Sequence, residues 1–286
     1  MSRIPLSGST LVFLGALFWS LNSPLVKYLT LPALLICGLR SVIAGIALSP
    51  TIRPRQLRWN RWLVFYLLSY LGLCVSVILA LSMTSAPIAV GMQYTATIWL
   101  FLIGLLRTRR FSWRAFLPVF IISVGVVFFM CSSTGGTNRL GNFIALTEGI
   151  FFVCITISSQ KAAGTNPLGL TALANLFTGL AVFLVVPGLW GELAKMSPRD
   201  WVLMLILGVV QVGGGYGCFN LGVQKVSAQR ASIIALWEMI LGPLWVALFL
   251  GEYPSPLVLI GFVFILVGIV LDNLPSGKTQ SQDCPS

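Results

Sequence analysis

The chain has 286 residues, of which 57% are apolar and only 9% charged, where soluble domains carry roughly 25% charged residues. That balance excludes a water-soluble globule and marks an integral membrane protein. Eighteen Lys and Arg against seven Asp and Glu give a formal charge of +11, with no histidine, which excludes His-based metal sites, Ser-His-Asp hydrolysis and His proton relays.

A spanning helix needs about 20 apolar residues. Hydropathy places ten spans at 10–29, 32–49, 62–82, 84–106, 115–132, 141–160, 169–190, 201–222, 227–249 and 255–273. Period-2 alternation is absent, so a membrane β-barrel is excluded. The first run lacks a small-residue cleavage site and continues into Trp19-Ser20-Leu21-Asn22, as an uncleaved helix rather than a signal peptide does. Pro24 removes the hydrogen bond to the Ser20 carbonyl and predicts a kink near mid-membrane. Gly15, Trp19, Asn22 and Val26 share one face of this helix.

Arg40 falls within the second span. The loops after spans 2 and 4 hold Arg53, Arg55, Arg58, Arg61 and Arg107, Arg109, Arg110, Arg114. With a cytoplasmic N-terminus, those eight plus Arg3, Lys161, Lys225, Arg230 and Lys278 lie inside, and Lys27, Arg139, Lys195 and Arg199 outside. The bias predicts both termini in the cytoplasm, in the cell (inner) membrane. The basic residues are topogenic and meet anionic lipid headgroups; they form no nucleic-acid footprint.

Span 4 contributes Gln93 and Tyr94. The break at Ser132–Asn138 near the midpoint separates two related halves. Ser85-Ala86-Pro87-Ile88-Ala89 is echoed half a chain later by Ser227-Ala228-Gln229-Arg230-Ala231. Gly15 is matched by Gly149 and Lys27 by Lys161 at a common, slightly shorter offset. The expected organisation is residues 1–137 as a first five-helix repeat, 138–273 as a second, and 274–286 as a polar cytoplasmic tail. An odd number of spans per copy inverts the second copy in the bilayer, as in many secondary transporters. The fold class is thus an all-α membrane protein of ten transmembrane helices in two inverted five-helix repeats.

Glu148, in span 6, enters from the same side as Arg40 and reaches a similar depth of roughly 10–12 Å. The two are placed to pair, either as a gate or zwitterion site or as a structural ion pair. Span 8 holds Gly213-Gly214-Gly215-Tyr216-Gly217, whose Gly213-xxx-Gly217 spacing suits close helix contact. Span 9 holds Trp237 and Glu238. Ionisable groups inside hydrocarbon are costly and mark functional or paired positions, and Glu238 is either a substrate or proton site or a structural carboxylate. Trp19, Tyr94, Trp99, Tyr216 and Trp237 are the aromatics suited to line a cavity, though any single one equally suits the core or lipid.

Five cysteines fall within spans and Cys284 in the tail, without the spacing of a disulfide framework or zinc site. Gly277-Lys278-Thr279 ends like a phosphate loop, but its upstream glycine position holds Asp272 and no strand precedes it. No metal and no cofactor is expected.

The stretch Val226-Ser227-Ala228-Gln229-Arg230-Ala231-Ser232, followed by Trp237-Glu238, Gly242-Pro243, Gly251-Glu252, Gly261 and Gly268, resembles the second-repeat signature of the drug/metabolite transporter superfamily, in its EamA-type ten-helix members. Gly15-Ala16-Leu17-Phe18-Trp19-Ser20 is similar to their first-helix motif, and Arg40 to an arginine of their second helix. The resemblance implies a central cavity open alternately to each side, and substrates ranging over amino acids, related metabolites, nucleobases, sugar phosphates and toxic amphiphiles. This chain departs from the pattern where Arg109-Arg110 replaces Gly-Glu and where Ala96 stands opposite Glu238.

The residues favour a secondary transporter, not an enzyme, exporting a small polar or zwitterionic metabolite such as an amino acid. Its expected substrate contacts are Trp19, Asn22, Arg40, Gln93, Tyr94, Glu148, Tyr216, Trp237 and Glu238. An exporter of hydrophobic cations using Glu238 against aromatic walls is the alternative within transport. A membrane enzyme or a lipid-interaction protein is the alternative outside it. Glu148 and Glu238 are the groups able to carry a coupling proton.

Overall fold

The computed structural model describes residues 6–54, 59–132, 139–161, 166–226 and 228–273. Arg55 and Arg58, most of the joint between the repeats, Ser227 and the tail with its Gly-Lys-Thr and Cys284 lie outside the described residues.

Helices account for all regular structure among the described residues. The first span is α1 (Gly8–Ser20) and α2 (Asn22–Tyr28); the second is α3 (Ala33–Leu48) with one 3-10 turn; the third is α4 (Arg61–Met83). The fourth is α5 (Ala86–Met92) and α6 (Ala96–Thr108), the fifth α7 (Trp113–Cys131), the sixth α8 (Arg139–Lys161) and the seventh α9 (Pro167–Val185). After the short α10 (Leu189–Ala194), the eighth span joins α11 (Pro198–Leu205), a π-helical segment Ile206–Gly214 and α12 (Gly215–Val223). The ninth is α13 (Ala228–Ala235) and α14 (Trp237–Leu250), and the tenth α15 (Pro256–Asp272). Among the described residues, nine spans are long and apolar enough to cross a membrane, and α15 is slightly shorter at 17 residues.

Local chemistry explains the ends. Asn60 accepts hydrogen bonds from the Trp62 and Leu63 amides at 2.9 Å and so caps α4. Asn166 caps α9 through the Gly169 amide and donates to the Thr51 carbonyl at 2.8 Å, tying α9 to the end of the second span. Both satisfy backbone groups that a helix end leaves open. The seventh span stops at Val185, short of the expected 190, because Pro187 cannot continue the helix. Trp190 instead packs against Phe183 from α10, with ring centroids 4.9 Å apart.

Without a hydrophobic drive between helices in lipid, close approach of small residues builds the bundle. The principal pairings are α3 with α9, α7 with α15, α4 with α8, and α1 with α12. In terms of spans these are 2–7, 5–10, 3–6 and 1–8, a set that exchanging the two repeats maps onto itself. The side chains repeat the relation. The offset that matches Gly15 with Gly149 also matches Gly45 with Gly179 and Val42 with Leu176. Gly45 packs on Leu176, and Gly179 packs on Val42. A Cβ at Gly125 would lie 2.6 Å from the Gly261 carbonyl oxygen, and one at Gly261 2.8 Å from that of Gly125. The repeats are thus related by an approximate twofold axis within the membrane plane, the inverted arrangement expected from five spans per copy.

Span 8 departs from the expected contact. Gly217 has no neighbour within 4 Å of a would-be Cβ, and Gly213 meets only the Gly208 carbonyl of its own helical segment. The close approaches are made by Gly208 on Ile43, Gly215 on Trp19 and Gly222 on Val12. The π-helical segment is the physical reason: its wider turn rotates the glycine run away from the face that an uninterrupted α-helix would present.

Candidate functional site

Three helix interruptions meet at the centre of the bundle. The first span breaks at Leu21, within the turn that Pro24 disrupts. The fourth passes through a single 3-10 turn, Gln93–Thr95. The ninth breaks at Leu236, the counterpart of Tyr94 at the offset that matches Ser85 with Ser227. Broken helices leave backbone polar groups and half-helix termini near mid-membrane, tolerable only where they are buried in protein or line a cavity. The amino-terminal ends of α6 and α14 both arise here, each carrying the positive end of a helix dipole.

A cavity of about 540 Å³ occupies this centre. Trp19 and Asn22 reach it from the first span, Arg40 from α3, Gln93 and Tyr94 from the 3-10 turn, Tyr216 from α12 and Glu238 from the first turn of α14. Its lining extends to Asp272 and Asn273 at the last turn of α15, so it opens at the end of the bundle opposite Lys27 and Glu252. Toward that other end the floor is tight: Ile88, Met92, Phe129 and Met239 have no exposed surface.

Arg40 is 5% exposed. Its Nη1 donates to Asn22 Oδ1 at 2.7 Å, and its Nε has no acceptor. Among the described residues, ion pairs join Lys27 to Glu252 and Lys195 to Glu192. Arg40 is in neither. A buried guanidinium with an open donor and no carboxylate partner is a site for an anionic group. The walls are aromatic. Trp19 stands edge-on to Tyr216 at 5.0 Å and tilted against Phe219 at 4.8 Å. Tyr70 OH accepts a hydrogen bond from Asn175 Nδ2 at 2.8 Å, which holds its ring at the wall.

Two expected site residues stand elsewhere. Glu148 is fully buried and absent from the lining, and neither carboxyl oxygen has a hydrogen-bond partner. The Arg40–Glu148 pairing expected from equal depth does not form, because α3 packs on α9 and the π-helical segment while α8 packs on α4. Depth is shared, but the helices are not neighbours. Trp237 is 45% exposed and packs edge-on against Phe13 at 5.9 Å. Trp99, suited by type to the wall, is also outside the lining. The break at Leu236 re-aims this stretch, turning Glu238 to the cavity and its neighbour Trp237 away.

Sequence reasoning did not single out Tyr70, Phe152, Gln211 and Phe219, all of which line the cavity. Gln211 could have been found as a polar residue inside an apolar run. The aromatics carry no such signal, since their types are equally common facing lipid.

Ten apolar spans, with a central cavity whose mostly apolar wall carries Arg40 and Glu238 and with repeats related by an in-plane twofold, define the class of multi-pass membrane transporters. The chain belongs to the EamA-like transporter family, whose model matches residues 6–131 and 139–274. It is 25% identical over 199 residues to the Bacillus subtilis protein called uncharacterized transporter YxxF, the match covering 66% of this chain and 61% of that one. It is 23% identical over 196 residues to an uncharacterized transporter of Archaeoglobus fulgidus, covering 68% and 70%. A solved crystal structure superposes with a TM-score of 0.63 over 93% of this chain and 96% of the other, at 17% identity, and shares the fold.

Proposed function

We propose that this protein is an alternating-access secondary transporter that exports a small zwitterionic metabolite such as an amino acid across the cytoplasmic membrane. The observation that carries the reading is Arg40: a buried guanidinium on the cavity wall without a carboxylate partner. It receives the substrate carboxylate, with Asn22 holding the guanidinium in place. Glu238 on the same cavity receives the amine, and Trp19, Tyr94 and Tyr216 enclose the remainder. Gln93 supplies a neutral hydrogen-bonding group. Glu148 and Trp237 are given no substrate contact, since they stand outside the lining.

The arginine-rich loops after the second and fourth spans support placing the cavity mouth and both termini in the cytoplasm. Residues 1–137 and 138–273 then exchange conformations about the central cavity as access alternates. Glu238, facing the cavity, is the group that takes a coupling proton if transport is proton-driven. A hydrophobic-cation substrate is disfavoured, because Arg40, which has no carboxylate partner, faces the same cavity.

Counterflow in proteoliposomes tests the reading. Radiolabelled amino acids should exchange across the membrane, and Arg40→Gln should abolish exchange while the protein stays folded. Absence of counterflow for a full amino-acid panel, or retention of it in Arg40→Gln, overturns the assignment. Loss of pH dependence in Glu238→Gln supports Glu238 as the proton site; a retained pH profile removes it.

A further inference from the structure

The closed end of the bundle is latched across the two repeats. Lys27 Nζ, at the end of α2, lies 2.7 Å from Glu252 Oε2, just beyond the end of α14. Beneath it the same two spans are joined by a hydrogen bond from Trp245 Nε1 to Ser20 Oγ at 3.0 Å, and by Gly242 against Ser23. Lys27 and Glu252 share the lining of a second cavity on that face with Thr84, Pro243 and Tyr253.

The inverted repeat carries the same positions to the open end with a different chemistry. The offset that matches Gly15 with Gly149 takes Lys27 to Lys161, and the one that matches Ser85 with Ser227 relates Gly251-Glu252 to Arg109-Arg110. The backbone verifies the second equivalence. Arg109 (φ 52°) and Gly251 (φ 67°) are the positive-φ residues of the described chain, and each ends the second half of a broken span. Arg110 therefore stands where Glu252 stands in the other copy. Lys161 is exposed, with its ammonium 4.0 Å from the centre of the Trp62 ring.

We propose that the transporter carries an ionic latch at one end only, and that this asymmetry makes the state open at the Arg110 end its resting state. The proposal rests on the alternating-access reading above. In an inverted-repeat transporter the two states arise by exchanging the conformations of the repeats. Closing the Arg110 end would then bring Arg110 to Lys161, two cations where the other end has a cation and a carboxylate. Like charges at that junction oppose closure, and breaking Lys27–Glu252 opposes opening of the other end. Both effects favour one state, so bound substrate must supply the bias toward the other.

The test needs no substrate. In a chain with its native cysteines replaced, Thr97→Cys on the cavity wall reports access to a membrane-impermeant maleimide in right-side-out and everted vesicles, with Arg114→Cys identifying the Arg110 face. The parent should label faster from the Arg110 face. Arg110→Glu creates a pair with Lys161 and should lower that preference about three- to tenfold, the scale of an exposed ion pair replacing a repulsion. Adding Lys161→Glu should restore the preference, and Glu252→Gln should raise labelling from the opposite face. An unchanged ratio in Arg110→Glu overturns the proposal, as does an equal shift in Arg110→Ala, which removes a charge without making a pair. No labelling from either face overturns the alternating-access reading and this inference with it. A ratio that shifts as expected in a protein showing no amino-acid counterflow sustains the latch and overturns only the substrate.

Discussion

Arg40 Nη1 donates to Asn22 Oδ1 at 2.7 Å, and this one contact joins α3 to the half-helix that follows the break in the first span. Asn22 is the first residue of α2, so the break itself places the amide that orients the cavity's cation.

Asn22→Leu should weaken binding without abolishing the fold. A hydrogen bond to a charged group is worth about 1.5–3 kcal/mol, so substrate affinity should fall roughly ten- to hundredfold. Arg40→Lys should fare no better, because a lysine cannot present a planar fork to a carboxylate. Concentration dependence of counterflow in liposomes measures both.

Glu148→Leu should raise thermal stability. The carboxyl is fully buried with neither oxygen hydrogen-bonded, and leaving a buried polar group unsatisfied costs about 1–3 kcal/mol. Melting in detergent should shift upward by a few degrees, on the order expected for about 1 kcal/mol in a chain of this size. Glu148→Gln should leave substrate affinity unchanged, since the residue is outside the cavity lining. A large loss of affinity in that variant would show that α8 shapes the site more directly.

Gly215→Ala should damage the site through Trp19. A Cβ there would meet the Trp19 indole, 2.5 Å from its Nε1, and would displace a ring that lines the cavity and packs against Tyr216 and Phe219. Overpacking of this kind costs about 1–3 kcal/mol. Reduced affinity with a preserved helical spectrum is the expected outcome, and Gly217→Ala, with open space around it, is the control that should change neither.

Arg109→Gly should stabilise the protein by about 1 kcal/mol, because a non-glycine residue in the left-handed region pays roughly that penalty. Gly251→Ala should lose a similar amount. Paired melting curves of the two variants, moving in opposite directions, check the equivalence of these helix ends.

The ten spans were legible from hydropathy and chain length, the two-copy organisation from the echo of Ser85–Ala89 in Ser227–Ala231, and the inversion from the odd number of spans per copy. Pro24 announced its break for the same local reason. The breaks in the fourth and ninth spans did not announce themselves: Gln93-Tyr94-Thr95 and Leu236 carry no proline, and their apolar surroundings read as continuous helix. The expected Arg40–Glu148 pair shows the other limit. Depth along a helix follows from its fixed rise per residue, but depth says nothing of which helices are neighbours.

The sequence by itself determined that this is a ten-helix, internally duplicated membrane protein, and it located nearly every charge that hydrocarbon has to tolerate. Only the tertiary structure decided which of those charges face a common cavity, that Arg40 has Asn22 rather than a carboxylate for a partner, and that Glu238 faces inward while Glu148 does not. Hydropathy is a sum over the chain's own residues; a cavity is made by side chains from helices far apart in sequence. Lateral packing, set by glycine contacts such as Gly45 on Leu176 and Gly215 on Trp19, is what brings those helices together.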